Sequence, residues 1–273
     1  MRFSVLGSGS KGNATLVISG ETRVLIDAGF SGKDLARRLE AIQIDPDSLD
    51  GIVISHDHSD HTRGMGVYAR RHGTPLHLTP PTLRACQKLL KGQESISTYE
   101  AGRHFRIGGL RIEPFVTVHD AVDPVGLAVV EEATGLRLGI ATDLGRPTAG
   151  IRHALTGCDV LVLESNHDEG LLQQAPYPWS VKARIRSSHG HLSNEGAARF
   201  ALELMHPGLK AVVLAHLSYE SNRPTLALEI VGKALRKAGF KGWIEVADQD
   251  EPMPIVDVVE LAGRNAGGQL TLL

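Results

Sequence analysis

Gly51-Ile52-Val53-Ile54-Ser55-His56-Asp57-His58-Ser59-Asp60-His61 is the stretch on which the reading of the fold turns. Its first four residues are an apolar, β-branched run of the kind that makes a buried strand, and the next seven gather three imidazoles and two carboxylates. In bare spacing the cluster is H-x-H-x-D-H. It begins where a strand ends, which is where α/β folds place their chemistry. His56 and His58 alternate in an extended segment and project to one side, and the chain must turn to bring Asp60 and His61 round. Two adjacent ligand sets are therefore expected. A histidine-rich polar loop would show the same letters, so other parts of the chain must discriminate.

The 273 residues, 42% of them hydrophobic, suffice for a substantial core, and a length of this size fits one large α/β domain or two small ones. Charged residues make up 22% and the formal net charge is −2, so no global basic field announces nucleic acid; a nuclease would need a local basic surface. Cys86 and Cys158 are the only cysteines and form no C-x-x-C pair. That excludes a disulfide scaffold and a thiolate zinc site, and leaves His and Asp to hold any metal. The apolar run in Met1 to Gly9 is too short for an export signal and no run approaches membrane-spanning length, so a cytoplasmic protein is expected.

Residues 2–6, 14–18 and 22–26 read as three short antiparallel strands, separated by the glycine-rich 7–13 and by Gly20-Glu21. The third runs into Asp27-Ala28-Gly29, where Asp27 is either a turn residue or a support for the histidine cluster. Ser31 reads as the N-cap of a helix through Leu35, Leu39 and Ile42. Helices are expected over 62–72 and 80–91 around a strand at 75–79, with His72 and His77 as surface or packing residues. Strand signals then dominate from 94 to 141, notably Leu110 to Val118, Val125 to Glu131 and Leu136 to Ala141. Beyond them strands (Asp159 to Leu163, Ala211 to Ala215, Trp243 to Val246) alternate with helices (195–205 and 224–238), and Ile255 to Leu261 with its glycine-rich tail is read as an added strand without assigned function. There is no repeat, low-complexity tract or linker. One domain over 1–273, a four-layer α/β/β/α sandwich, is the expectation.

Three further polar residues end predicted strands: His119 after Phe115-Val116-Thr117-Val118, Asp143 after Leu138 to Thr142, and His216 after Ala211 to Ala215. One such histidine is ordinarily structural; three downstream of H-x-H-x-D-H point to ligands. A close pair of divalent cations needs a bridging carboxylate and several neutral imidazoles to limit charge repulsion, and the set contains both. Imidazole plus carboxylate suits Zn²⁺ or Mn²⁺, and spacing does not separate them. A water shared by two cations becomes a hydroxide nucleophile near neutral pH, so hydrolysis is the reaction class.

In order, Asp27, His56-x-His58-x-Asp60-His61, His119, Asp143 and His216 resemble the five motifs of the metallo-β-lactamase fold, over about residues 3–245. The resemblance implies that His56, His58 and His119 hold one metal and Asp60, His61 and His216 the other, that Asp143 bridges them, and that Asp27 orients a ligand from behind. It also counts against a true β-lactamase, which is exported and commonly has cysteine at the position of Asp143. A glyoxalase-II-like thioesterase keeps the bridging aspartate, and remains the alternative.

Leu161-Val162-Leu163-Glu164-Ser165-Asn166-His167-Asp168 and Gly190-His191-Leu192-Ser193-Asn194-Glu195 resemble paired motifs of the RNase Z nucleases. By that resemblance Glu164 orients His191, and His191 is the general acid for the departing alkoxide; otherwise Glu164 is a polar strand cap and His191 a helix-entry residue near N-cap Ser193. The 23 residues between His119 and Asp143 leave no room for the long arm of many RNase Z proteins, and the 72 between Asp143 and His216 none for the extra domain of RNase J. What remains resembles the YycJ/WalJ subgroup of small bacterial proteins. The match includes Gly7-Ser8-Gly9-Ser10-Lys11-Gly12-Asn13, Asp57, His119-Asp120-Ala121, Glu164 to His167, Gly190 to Asn194 and Ala215 to Ser218. That resemblance implies a two-metal phosphodiesterase working through a metal-bridging hydroxide held by Asp60, and it is the sole source of the expected 5′-to-3′ DNA exonuclease polarity. DNA is the expected partner over RNA. Lys182, Arg184 and Arg186 offer a local basic surface with Tyr177 and Trp179 as stacking surfaces, or else are a solvated helix face with core aromatics. Lys11 and Asn13 are candidate phosphate contacts, although the tight turn there explains the glycines as well, and His167, Ser193 and Asn194 complete the substrate-contact candidates.

Overall fold

The structure is a computed structural model and describes residues 1–261. Strands and helices are numbered in chain order. The first sheet is built from β1 (Arg2–Gly7), β2 (Ala14–Ser19), β3 (Thr22–Ile26), β4 (Gly51–Val53), β5 (Leu76–Leu78) and β6 (Ile96–Thr98). A second contains β7 (Phe105–Ile107), β8 (Leu110–Val116), β9 (Val125–Glu131), β10 (Arg137–Ala141), β11 (Val160–Glu164), β12 (Ala211–Ala215) and β13 (Trp243–Val246). Strand β14 (Val256–Asp257) returns to the edge of the first sheet, pairing Val256 with Phe3 and Asp257 with Arg2. Each seven-stranded sheet is antiparallel on one side and parallel on the other, the change falling at β3 in the first and β10 in the second.

Period-two alternation builds the layers. Val17 of β2 and Val160 and Val162 of β11 enter the core between the sheets, whereas Leu16, Ile18, Leu161 and Leu163 face outward under helices. Both faces of these strands are buried, which is why their sequences read as continuous apolar runs. On the first sheet lie α1 (Gly32–Ala41), α2 (Ser59–Thr62), α3 (Met65–His72) and α4 (Pro80–Ala85). On the second lie α5 (Ala149–Leu155), α6 (Glu169–Gln174), α7 (Trp179–Arg186), α8 (Asn194–Glu203) and α9 (Pro224–Lys237). Leu35 and Leu39 of α1 are fully buried, and Ser31 caps it by accepting from the Asp34 N–H at 3.2 Å. Each such leucine contributes about 1.5–3 kcal/mol by leaving water. The result is two sheets flanked by helices, the four-layer α/β sandwich.

Local departures have local causes. The helix expected over 62–72 is two, because the Gly64 N–H donates to the Ala28 carbonyl (2.8 Å) and its Cα packs on the Phe30 carbonyl, with no room for a side chain. The helix expected over 80–91 ends at Ala85, and a 3₁₀ turn over Gln87–Leu89 follows before Leu90 turns extended. Helices α5 and α6 have six or seven residues, too few for a 3.6-residue period to declare itself. The expected last strand shrinks to β14, and its glycine-rich tail lies outside the described residues. His72 and His77 do pack, against Tyr68 and Phe105. No helix among the described residues is long and apolar enough to cross a membrane.

Candidate metal centre

Every expected ligand lies at or just after the end of a strand, and the parallel halves of the two sheets bring those ends together. Asp27 follows β3, the cluster His56 to His61 follows β4, His119 follows β8, Asp143 follows β10, Glu164 ends β11, and His216 follows β12. Asp27, Asp143 and His216 adopt left-handed backbone conformations, with φ of 64°, 56° and 55°. Three of the five non-glycine residues with positive φ among the described residues are thus at this one place, where strain held by the surrounding fold serves to aim a side chain.

His56, His58, His119 and Asp143 each bring one donor atom within 4.8 Å of the others, and so do Asp60, His61 and His216. His56 and His58 thus fall in one set and Asp60 and His61 in another. Asp143 stands between them, Oδ1 3.5 Å from His119 Nε2 and Oδ2 3.0 Å from His61 Nε2.

Partners behind the rings fix which nitrogen faces inward. His61 Nδ1–H donates to Asp27 Oδ2 at 2.7 Å, and His119 Nδ1–H donates to the Gly190 carbonyl at 3.1 Å. The Ser55 hydroxyl donates to Asp27 Oδ2 (2.9 Å), so its oxygen is left to accept from His56 Nδ1–H (3.0 Å). His216 Nδ1–H donates to Glu164 Oε1 at 2.9 Å. Four imidazoles therefore aim an Nε2 lone pair at the same space. His58 is the exception, presenting Nδ1 to His119 Nε2 at 3.3 Å.

The donor set fits a pair of divalent cations. His56, 2% exposed, has no hydrogen-bond partner for Nε2, and neither has the buried Asp143 Oδ2, although both atoms point into a space rich in donors. Nitrogen and carboxylate donors converging on one space call for positive charge there, and nitrogen plus carboxylate oxygen is the chemistry of Zn²⁺ or Mn²⁺. Electrostatics agrees. Burial, with the neighbouring His61, pushes His56 well below the ordinary imidazole range, and burial lowers His119 too. At His61 and His216 burial acts in that direction too, but the carboxylates around them win: Asp143 and Asp27 hold His61 well above the ordinary range, and Asp143, Asp60 and Glu164 raise His216 to about 10.

Glu164 is the hub behind the site. Fully buried, it accepts from the backbone N–H groups of Asp143 (3.2 Å), Leu144 (3.0 Å) and Leu192 (2.9 Å), and from the rings of His216 and His191, the latter at 2.8 Å. Burial alone would raise its pKa; the two imidazoles outweigh it and bring the carboxyl down to about 2. An ionised Glu164 only accepts, so His191 too must carry its hydrogen on Nδ1, and Nε2 is free to face substrate. His191 lines a cleft of ≈ 440 Å³ together with His58, Asp60, His119, Asp143 and His216.

The other sequence candidates divide. Asp27 takes the supporting role, accepting also from the Ser55 N–H at 2.8 Å. Arg184 lines the cleft, Lys11 stands exposed beside it, and Lys182 and Arg186 are engaged on the far face of α7 with the Gln173 carbonyl and Glu169. Four expected substrate contacts are turned into the protein instead. Asn13 is buried, its carbonyl oxygen accepting from Ser8 and Gly9 while its amide braces Asp60 and His61. Ser193 is the N-cap of α8, accepting from the Gly196 N–H. Asn194 is fully buried between Ser165 and Asn222, and His167 is buried beside Glu169. Trp179, offered by one reading as a core aromatic, is 82% exposed.

Some supporting residues escaped the sequence. Ser55 sits inside the opening stretch, and only its place between strand and first histidine hinted at a role. Asn166 donates to the His216 carbonyl (2.9 Å) and Asn222 to the Ser165 carbonyl (2.8 Å), anchoring the left-handed turn, and nothing in their local sequence announces it.

Comparison with known proteins agrees with the geometry. The Beta-lactamase superfamily domain is matched over residues 22–217. The chain is 34% identical over 258 residues to the exodeoxyribonuclease YycJ of Bacillus anthracis, covering 93% of this chain and 97% of that protein. It is 35% identical over 232 residues to the exodeoxyribonuclease WalJ of Streptococcus pneumoniae, covering 83% and 85%. Zn²⁺-bound PqqB from Methylobacterium extorquens superposes with a TM-score of 0.71 at 16% identity, covering 94% of this chain and all of the other, a likeness of fold alone. The chain belongs to the metallo-β-lactamase superfamily and, within it, to the YycJ/WalJ group.

Proposed function

We propose that the protein is a cytoplasmic two-metal phosphodiesterase that removes nucleotides from DNA in the 5′-to-3′ direction, with Zn²⁺ or Mn²⁺ in the paired half-sites. The observation that carries this reading is the His191–Glu164 pair beside the two donor sets: a phosphodiesterase must protonate an alkoxide, and the 2.8 Å bond leaves His191 Nε2 facing the cleft for that purpose. The DNA substrate is supported by the named activity of the 34–35% identical relatives, and the polarity by the resemblance noted above alone. His56, His58 and His119 would hold one cation, Asp60, His61 and His216 the other, and Asp143 both. Cations so held supply charge neutralisation at the phosphate and acidify water. Asp60, braced by Asn13 and 3.4 Å from His216 Nε2, orients the attacking water. As the bond from phosphorus to the leaving oxygen breaks, that oxygen takes the proton from His191 Nε2, while Glu164 Oε1 holds the ring in place through its Nδ1–H.

Incubating end-labelled single- and double-stranded DNA and RNA with Mn²⁺- or Zn²⁺-loaded protein, beside a thioester panel, tests the proposal. Mononucleotides released from the 5′ end of DNA are expected; turnover of thioesters alone sinks it. His191→Ala is expected to slow DNA cleavage about 100-fold or more, and to slow release of nitrophenolate from an aryl phosphodiester far less, because that leaving group needs little protonation. Equal losses on both substrates remove the general-acid role.

A further inference from the structure

Of the twelve aromatic side chains, all within the described residues, ten are packed or half-buried. The other two are Trp179, 82% exposed, on the helix that walls one side of the metal cleft, and Tyr219, 70% exposed, next to the cleft-lining Ser218. Trp179 opens α7, whose Val181, Arg184 and Ile185 line the cleft; on the other face of that helix it shares an adjoining recess of ≈ 420 Å³ with Lys182 and Arg186, and Tyr177 belongs to both spaces. Tyr219 follows Ser218, and Lys11, which covers its ring at 4.9 Å, follows Ser10; Ser218 and Ser10 both line the cleft.

Exposed indole and phenol rings that support no core offer flat apolar faces with a polar edge to a partner. The charge around them says which kind. From Gly170 to Asn194 the chain carries Lys182, Arg184 and Arg186 and no acidic residue, within a protein of net charge −2. Neither Arg184 nor Lys11 has an acidic partner among the described residues; Lys11 lies over Tyr219, and Arg184 faces the cleft from the helix that Trp179 opens.

We infer that Trp179 and Tyr219 are stacking positions for nucleobases, and that the cleft takes a single-stranded end of nucleic acid rather than a paired one. The inference rests on reading the site as one that cleaves nucleic acid. In a duplex each base face is covered by its neighbours, and only unpaired bases offer a free π face to an exposed ring. Arg184 and Lys11 then meet the phosphates on either side of the stacked bases.

Two measurements test it, one of which needs no cleavage. The Trp243→Phe protein retains Trp179 as its one tryptophan. Its emission should be quenched on titration with oligothymidylate, saturating at a concentration about tenfold or more below that needed of a blunt duplex of equal length. Binding seen by anisotropy of a labelled strand, without quenching, overturns the proposal. Quenching supports it whether or not the strand is cut, so failure of the nuclease reading shows separately as a bound strand that stays intact. In the second, strands whose terminal nucleotides carry abasic spacers keep every phosphate but lose the bases. The protein should degrade them with a KM about 5- to 100-fold above that for the ordinary strand. In Trp179→Ala and Tyr219→Ala that ratio should fall towards one. Equal KM values for ordinary and abasic strands in the unmodified protein refute the stacking role. So does a dimer in sedimentation that Trp179→Ala dissociates, since the rings would then be covered by a second copy.

Discussion

Glu164 illustrates how much one buried carboxylate organises. It accepts five hydrogen bonds, three from backbone N–H groups and two from imidazoles, and both of its oxygens are committed. Glu164→Gln keeps the shape but replaces one oxygen by a donor, setting N–H against N–H with no water to relieve it. Leaving a buried polar group unsatisfied costs about 1–3 kcal/mol, so a loss of about that size is expected in urea unfolding. Because His216 loses its orienting acceptor, one of two metal ions should also bind about 10–100-fold more weakly by calorimetry. Unchanged stability together with two intact affinities would falsify the hub. At this scale the ligands are legible because each is a polar residue closing an apolar run, a juxtaposition that costs stability unless it has a use. Asn13, Ser193, Asn194 and His167 mislead for the opposite reason. Their letters suit a substrate contact or a turn equally, and only the fold shows Asn13, Asn194 and His167 buried and Ser193 capping α8.

Elements meet at the site through close backbone approach, and Gly29 is where it is closest. Its backbone φ is ordinary, but a Cβ there would lie 1.7 Å from the Asp60 carbonyl oxygen, which also accepts from the Asn13 N–H at 2.8 Å. Gly20 is the converse, with φ of 56° and nothing within 4 Å of the position a Cβ would take. Gly29→Ala should therefore displace the loop carrying Asp60 and His61, lowering hydrolysis by about 100-fold or more, as misplacement of a reacting group by about 1 Å does. Gly20→Ala should cost about 1–2 kcal/mol for forcing a side chain into the left-handed region, and leave turnover as it was. Comparable turnover of the two variants would show that the contact at Gly29 is dispensable. Strands and the longer helices are legible from period and caps. What stays hidden are features set by such approaches: the break at Gly64, made by the Phe30 carbonyl, and the short helices, α5 packed on the sheet through Ile151 and Leu155 and α6 with Leu172 alone buried, neither long enough to show a period of its own.

Across the whole molecule the four layers follow from helices and strands in both halves, but strand order does not. That β14 pairs with β1, and that the two mixed sheets face each other with their parallel strand ends side by side, depends on contacts far apart in sequence. The metal centre ties those halves together: His56, His58 and His61 come from the first sheet, His119, Asp143 and His216 from the second. Cys86 lies under the helices of the first sheet and Cys158 under those of the second, 3% and 1% exposed, so each thiol reports on one layer. Burial raises both to about 11, which leaves a thiolate fraction near neutrality far below that of a free cysteine. A group whose pKa is raised by folding stabilises the fold below its unfolded value, near 9, and that contribution is lost as pH climbs through about 11. Neither thiol should therefore react with iodoacetamide at pH 8 in the native protein, and both should react above about pH 11 or on unfolding. If residues 1–273 form one cooperative domain, alkylation across a urea gradient will expose the two cysteines at one midpoint. Stripping the metal with a chelator should lower that common midpoint, since a ligand bound only by the folded state stabilises it by about 4 kcal/mol when present at about a thousand times its dissociation constant. Two separate midpoints in the metal-loaded protein would show instead that each sheet with its helices unfolds alone and that the cations do not couple them.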